Sequence, residues 1–151
     1  MTQSLLTALA AETAAIVAFG ALLAEEQQAL VSGALDALPE LTERKTQAVA
    51  KLAELGRERD AGLQALGYDT MQPDVAAMQA ADAQLARAWQ ALLAAAADAK
   101  HANETNGVLI RTRLTYTQQA LNVLYGPAES APLYGPDGRT APRSSGGSVT
   151  A

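Results

Sequence analysis

Three features of the sequence predict an all-α protein. It holds 35 alanines beside abundant Leu, Gln and Glu, it is poor in β-branched and aromatic residues, and its apolar positions recur in alternating steps of three and four. No stretch alternates in steps of two, as a half-buried strand would. The predicted architecture is an antiparallel helical hairpin and a long third helix, an elongated coiled-coil-like bundle with a flexible C-terminal tail. At 151 residues the chain has room for one domain with a modest core. The bundle is expected over residues 1–125, and a flexible Gly/Pro/Ser-rich tail over 126–151.

The first helix is expected from about Gln3 to Ser32, with Thr2 as a potential N-cap and Gly33 as the stop. Its seam is Leu5, Leu9, Glu12, Ile16, Phe19, Leu23, Glu26 and Leu30. Glu12 and Glu26 interrupt the apolar pattern and are expected at the seam's edge, reaching solvent. The run from Thr13 to Ala24 is apolar, but no Lys or Arg precedes it. Glu12, Glu25 and Glu26 bracket it too closely for a span of about 20 residues. It is therefore expected to be neither a signal peptide nor a membrane span.

The second helix is expected to begin near Asp36, whose side chain can cap it, with Pro39 tolerated in the first turn, and to end at Gly67. Its seam reads Leu38, Leu41, Lys45, Ala48, Leu52, Leu55, Arg59, Gly62 and Leu66. The short turn between the two helices makes them antiparallel neighbours.

After the spacer GYDTMQP, Asp74 is placed to N-cap a third helix with the seam Val75, Met78, Asp82, Leu85, Trp89, Leu92, Ala96, Ala99, Asn103 and Asn106. Trp89 is expected as a core anchor, and the Ala94–Ala97 run as a place where helices approach closely. Past it the apolar positions become Ile110, Leu114, Thr117, Leu121 and Leu124, a shift resembling a stutter. Gly107 sits at that shift, so a kink or break is expected near Asn103–Gly107 in a helix otherwise running from Asp74 to Tyr125. Leu-Tyr-Gly-Pro occurs at Leu124 and again at Leu133, and a polar tail follows Gly126.

Net charge is -5, so a phosphate backbone would be repelled over most of the surface and nucleic acid is not expected as a partner. The balance is uneven, for no acidic residue occurs between Glu104 and Glu129. With no cysteine and one histidine, thiolate sites and a di-iron set are excluded, and Asp98 with His101 makes only half a metal site. No phosphate loop or nucleophile elbow is present, and neither an enzyme, a metal nor a cofactor is expected. Asn103 and Asn106 on the seam imply either a register-setting pair or a groove left open for a partner's backbone. Tyr116, Tyr125 and Tyr134 suit a surface that is apolar on its face and polar at its tip.

Several of these residues together resemble the FlgN family of flagellar type III export chaperones. They are Glu25-Glu26, the Leu-x2-Leu-Thr-x2-Lys run from Leu38 to Lys45, Arg59, Gly67, Trp89, and the N-x2-N-G-x-L-I run from Asn103 to Ile110. Ala120-Leu121-x2-Leu124 and LYGPDGRT from Leu133 to Thr140 complete the likeness, which covers nearly the whole chain. Ala48, Val49 and Ala50 depart from it, standing where such proteins often carry leucines and thinning the middle of the second helix.

The resemblance implies a cytoplasmic protein, without cofactor or stable membrane insertion, that binds the hook-filament junction proteins FlgK and FlgL and delivers them to the export apparatus. A client helix would then lie along Leu109, Ile110, Leu114, Leu121 and Leu124, with Arg111 and Arg113 at the rim. Tyr116, Tyr125, Leu133 and Tyr134 would close over it, and the tail is the expected docking element for the export gate. A free groove of this kind can pair with a copy of itself to make a homodimer. The competing reading is a structural coiled-coil or adaptor protein that self-associates through the same seams.

Overall fold

The described part of the computed structural model is residues 1–126. It contains α1 (Thr2–Ser32), a single 3-10 turn (Leu35–Ala37), α2 (Leu38–Ala65), α3 (Val75–Ala81) and α4 (Ala83–Tyr125), with no strand among the described residues. The chain divides into two compact units, Met1–Arg111 and Thr112–Ala151, so that the boundary falls inside α4. Of the expected tail, residues 127–151 lie outside the described residues.

In the first unit the predicted seams of α1 and α2 are the packed faces. Every seam position of α1 is buried or half-buried, and so is every seam position of α2 from Leu38 to Leu66. Gly33 ends α1 in the left-handed conformation at φ 78°. Thr2 lies inside the helix and Met1 precedes it without a side-chain cap, so the expected cap at Thr2 does not form. Asp36 does not cap α2 either, because the backbone tightens into the 3-10 turn and leaves Ala37 at the cap position.

Gly67 closes α2 with φ 81°, a conformation that costs a side-chain-bearing residue dearly. Its N–H donates to Gln64 O at 3.0 Å, and the Tyr68 N–H donates to Leu63 O at 2.9 Å, which is the Schellman pattern. Tyr68 and Leu66 then pack on the core. In the spacer, Asp69 Oδ1 accepts from the Met71 and Gln72 N–H groups and turns the chain towards α3. Asp74 caps α3 as expected, accepting from the Ala77 N–H at 3.0 Å.

The helix interruption lies at Asp82 and not near Gly107. Asp82 is extended (φ -157°, ψ 104°), and its Oδ1 accepts from the Gln84 and Leu85 N–H groups while its own N–H still donates to Met78 O. A seam aspartate could bury its carboxylate against apolar neighbours or turn it onto free N–H groups, and the second satisfies it. Gly107 is tolerated within α4 without a break.

The core gathers at one end of this unit, where Leu5, Leu9, Leu63, Met78, Leu85, Ala86, Trp89 and Leu92 form one cluster. Trp89 is the anchor its position suggested. Beyond Leu92 the inward positions of α4 are Ala95, Ala99, Ala102 and Asn106, whereas Ala94, Ala96, Ala97 and Asn103 are exposed. The close approach expected over the whole Ala94–Ala97 run is therefore confined to Ala95, and the turn past Leu92 is one residue out of the expected phase.

Close approach does occur between α1 and α2, at Gly62. A Cβ there would stand 3.0 Å from Leu5 Cδ1 and 3.4 Å from Leu5 Cβ, and Leu5 is fully buried. Gly20, on α1, has nothing within 4 Å of such a Cβ. Gly20→Ala is expected to stabilise the protein by about 1 kcal/mol, the helix-propensity difference. Gly62→Ala is expected to lose that gain and about 1 kcal/mol more to overpacking. Thermal unfolding of both variants checks the pair: equal upward shifts would show that Leu5 yields.

By length and composition α1 could cross a membrane. In the structure its Leu5 and Leu9 and both seam carboxylates are engaged by other helices of the bundle.

Candidate functional site

Two groups of polar or exposed apolar residues stand out, one inside the first unit and one on the last turns of α4. The first is built on the carboxylates expected to reach solvent. Glu12 and Glu26 are each only 5% exposed, because the seam of α2 presents a cation to each. Arg59 Nη1 donates to Glu12 Oε1 at 2.7 Å, and Arg59 also contacts Asp60 at 3.0 Å. Lys45 Nζ donates to both oxygens of Glu26 at 3.0 Å. A third pair, Arg44 with Glu25 at 2.7 Å, lies on the exposed flank of the same hairpin.

Asn106, 1% exposed, completes the Glu26 cluster from α4. Its Nδ2 donates to Leu23 O at 2.8 Å and to Glu26 Oε1 at 2.9 Å. Both neighbours are acceptors, which fixes the amide with its nitrogen towards them. Asn106 thus ties α4 to α1 by side chain and backbone together. Asn103 faces outward, so the pair is split: one residue joins the buried network and the other does not.

Burial pushes the Glu12 carboxyl above its ordinary 4.5; the Arg59 charge and hydrogen bond oppose this, and the Asp60 charge adds to it. The folded state then holds this proton more tightly than the unfolded chain. The contribution to stability is present below pH 4.5 and is lost as the pH rises through the raised value. Glu12→Gln removes the titration, so the variant should gain on the parent protein between about pH 4 and about pH 7. The gain is about 1.4 kcal/mol for each tenfold by which folding tightens the hold on the proton. Urea titrations at both pH values measure it, and an equal gap at both would refute the assignment.

The second group lies along α4. In the first unit, Leu109 is half-buried, Ile110 is 40% exposed and Arg111 is exposed. In the second unit Arg113 is half-buried, while Leu114 (64%), Tyr116 (69%), Leu121 (44%), Leu124 (75%) and Tyr125 (80%) are open to solvent. Steps of three and four put Leu114, Thr117, Leu121 and Leu124 on one face of this helix, and Tyr125 falls beside Leu114 and Leu121 in rotation. Tyr116 lies about half a turn away, with the exposed Val123.

Within this unit's described residues the surface is thus a stripe on a single helix rather than a groove with two walls. Thr117 lies within it, its hydroxyl bonded to Arg113 O. Leu133 and Tyr134 lie outside the described residues. Among the described residues no group of three or more His, Cys, Asp and Glu is placed to hold a metal ion.

Lys45 and Arg59 are the buried-site residues that sequence reasoning left unassigned. The signal was available: Glu12 and Glu26 are fourteen residues apart on α1, and so are Lys45 and Arg59 on α2.

Comparison with known proteins places the chain. The family model described as FlgN protein matches residues 1–142. Two curated relatives, the flagella synthesis protein FlgN of Salmonella typhimurium and that of Salmonella typhi, are each 31% identical over 124 residues, covering 81% of this chain and 79% of theirs. No solved structure matches.

Proposed function

Since this chain belongs to the FlgN family and so to the proteins of flagellar biogenesis, we propose that it is a cytoplasmic export chaperone for the hook-filament junction proteins FlgK and FlgL. In this reading it binds their terminal region before assembly and hands them to the type III export apparatus, with no reaction catalysed. The observation that carries the reading is the open stripe of Leu114, Leu121 and Leu124. Side chains of this kind gain about 1.5–3 kcal/mol each when fully covered, and an amphipathic client helix with apolar residues at matching steps would cover them.

Tyr125 extends that face, and Tyr116 offers a contact to whatever wraps round the helix. Arg113 belongs to the same proposed surface, and Leu109, Ile110 and Arg111 would offer the client further contacts on the first unit. The positive charge of the arginines favours a client with acidic residues at its rim and adds more to encounter rate than to affinity. Asn106 serves the chaperone by fixing α4 in register, and Asn103, being exposed, is free to meet the client's backbone. Leu133 and Tyr134 would supply the closing contacts and the export-gate docking element.

Leu114→Ala, Leu121→Ala and Leu124→Ala combined should weaken binding of a terminal FlgK or FlgL fragment by about tenfold to a hundredfold. Thermal unfolding should not change, because all three are exposed. Calorimetry with the full chain checks this. No binding by the unaltered protein would sink the chaperone reading, and undiminished binding by the triple variant would sink the surface. The same stripe could instead be covered by a second copy, as the structural coiled-coil reading requires. Light scattering over a range of concentrations, with and without client fragment, separates the two: a client that leaves a stable dimer intact favours self-association.

A further inference from the structure

The two ion pairs that hold the buried Glu12 and Glu26 follow one rule of spacing. In Glu12–Arg59 and in Glu26–Lys45 the residue numbers add to the same value, 71, so both obey one antiparallel register. The same register sets Ile16 opposite Leu55 and Leu30 opposite Leu41, apolar against apolar. Each charged layer is therefore matched within a seam that is otherwise almost wholly apolar, two heptads apart.

An apolar seam with heptad spacing pairs nearly as well when slipped by a heptad, or with another copy of itself. A slip in one direction would set Leu30 opposite Ala34, which lies in the turn, so chain connectivity forbids it. A slip in the other direction moves α2 by about 10 Å and takes its first two turns into the loop. That register sets Glu12 opposite Leu66, Glu26 opposite Leu52 and Arg59 opposite Phe19, leaving each of these charges without an opposite charge. Parallel pairing of two copies of α1 would place Glu12 against Glu12 and Glu26 against Glu26. Pairing two copies of α2 in the same way would oppose Lys45 to Lys45 and Arg59 to Arg59.

We propose that the Glu12–Arg59 and Glu26–Lys45 layers are a register key. They select the antiparallel α1–α2 pairing against slipped and self-paired alternatives, and their worth lies in that exclusion rather than in added stability. A buried ion pair is often no more stabilising than apolar residues of similar size, while an unmatched buried charge is strongly unfavourable. The penalty thus falls more heavily on each competing arrangement, where the buried carboxylates lose their cations, than on the native one. Asn106, bonded to Glu26, extends the key to α4.

The chain has no cysteine, so introduced thiols read the register directly. Ala18 and Lys51 line the same shallow depression on the hairpin's flank, so A18C/K51C reports the native register. A18C/E58C reports the slip of one heptad. With the native charges, a short thiol cross-linker should join the first pair in at least about tenfold higher yield than the second. In the background E12L/E26L/K45L/R59L, unfolding should need as much urea or more. The slipped link should then approach the native one in yield, or light scattering should show more than one chain per particle.

A second background, K45L/R59L/L52K/L66R, moves both cations along α2 by one heptad and should make the A18C/E58C link the major product. Exclusive native linking at unchanged mass in both backgrounds would overturn the proposal. So would a four-leucine chain that keeps its register but unfolds at lower urea, since the pairs would then serve stability alone. If that chain cannot be kept in solution, the moved-charge background decides alone.

Discussion

Lys45→Met should destabilise the protein by about 3 kcal/mol, the lower part of the range for leaving one member of a buried ion pair without its partner. Methionine keeps most of the lysine stem's volume, so the loss isolates the charge. Glu26 would remain 5% exposed, with the Asn106 amide as its sole remaining side-chain donor among the described residues. The double variant Glu26→Met, Lys45→Met should recover most of the loss, because it removes the stranded charge as well. Asn106 Nδ2 then keeps only Leu23 O, a loss that the four-leucine chain offsets by also removing Glu12, whose charge burial disfavours. Urea unfolding of the three proteins decides the matter. A single variant within about 0.5 kcal/mol of the parent would mean that water reaches Glu26 freely, as at an ordinary surface pair.

Leu63→Ala is expected to cost about 2–5 kcal/mol, the range for truncating a fully buried leucine. Leu63 is 0% exposed, and its carbonyl is also the acceptor that closes α2 through the Tyr68 N–H. The site has little room to collapse, since α1 is already in close contact at Gly62 and cannot move far into the space. Trp89 belongs to the same cluster and is the chain's one tryptophan. Its fluorescence therefore reports the loss of this core directly. A shift of the urea midpoint worth less than about 1 kcal/mol would show that the cluster repacks instead of leaving a void.

Both effects rest on seams that are legible in the sequence. The α1 and α2 seams are readable because leucine and isoleucine recur with little competition, and every named position is packed. The phase of α4 past Leu92 is not, because Ala95 and Ala96 carry the same small side chain and give the period no signal. Only the third dimension distinguishes them, and with them Ala102 from Asn103.

The roles of Glu12 and Glu26 escape the sequence for another reason. A carboxylate on a seam looks like an edge position until the facing helix is in register, and register depends on both helices at once. Asp82 is ambiguous because a short polar side chain can fit a seam or cap a helix, and the choice depends on free N–H groups that the sequence does not display. The exposed stripe from Leu114 to Leu124 is visible as spacing. That it has no second wall among the described residues of its unit cannot be read from spacing at all.

The break at Asp82 also sets how the molecule breathes. One carboxylate ends α3 and begins α4, and α3 is a helix of seven residues whose one buried side chain is Met78. So short a helix has little cooperativity of its own. It can open locally while the Leu85–Leu92 turns of α4 stay closed, since the Gln84 and Leu85 amides are secured by a side chain rather than by α3's carbonyls. In deuterium exchange the amides of residues 79–81 should then label well before those of 89–92, leaving the first unit with a fast-opening bracket over one side of an otherwise slow core.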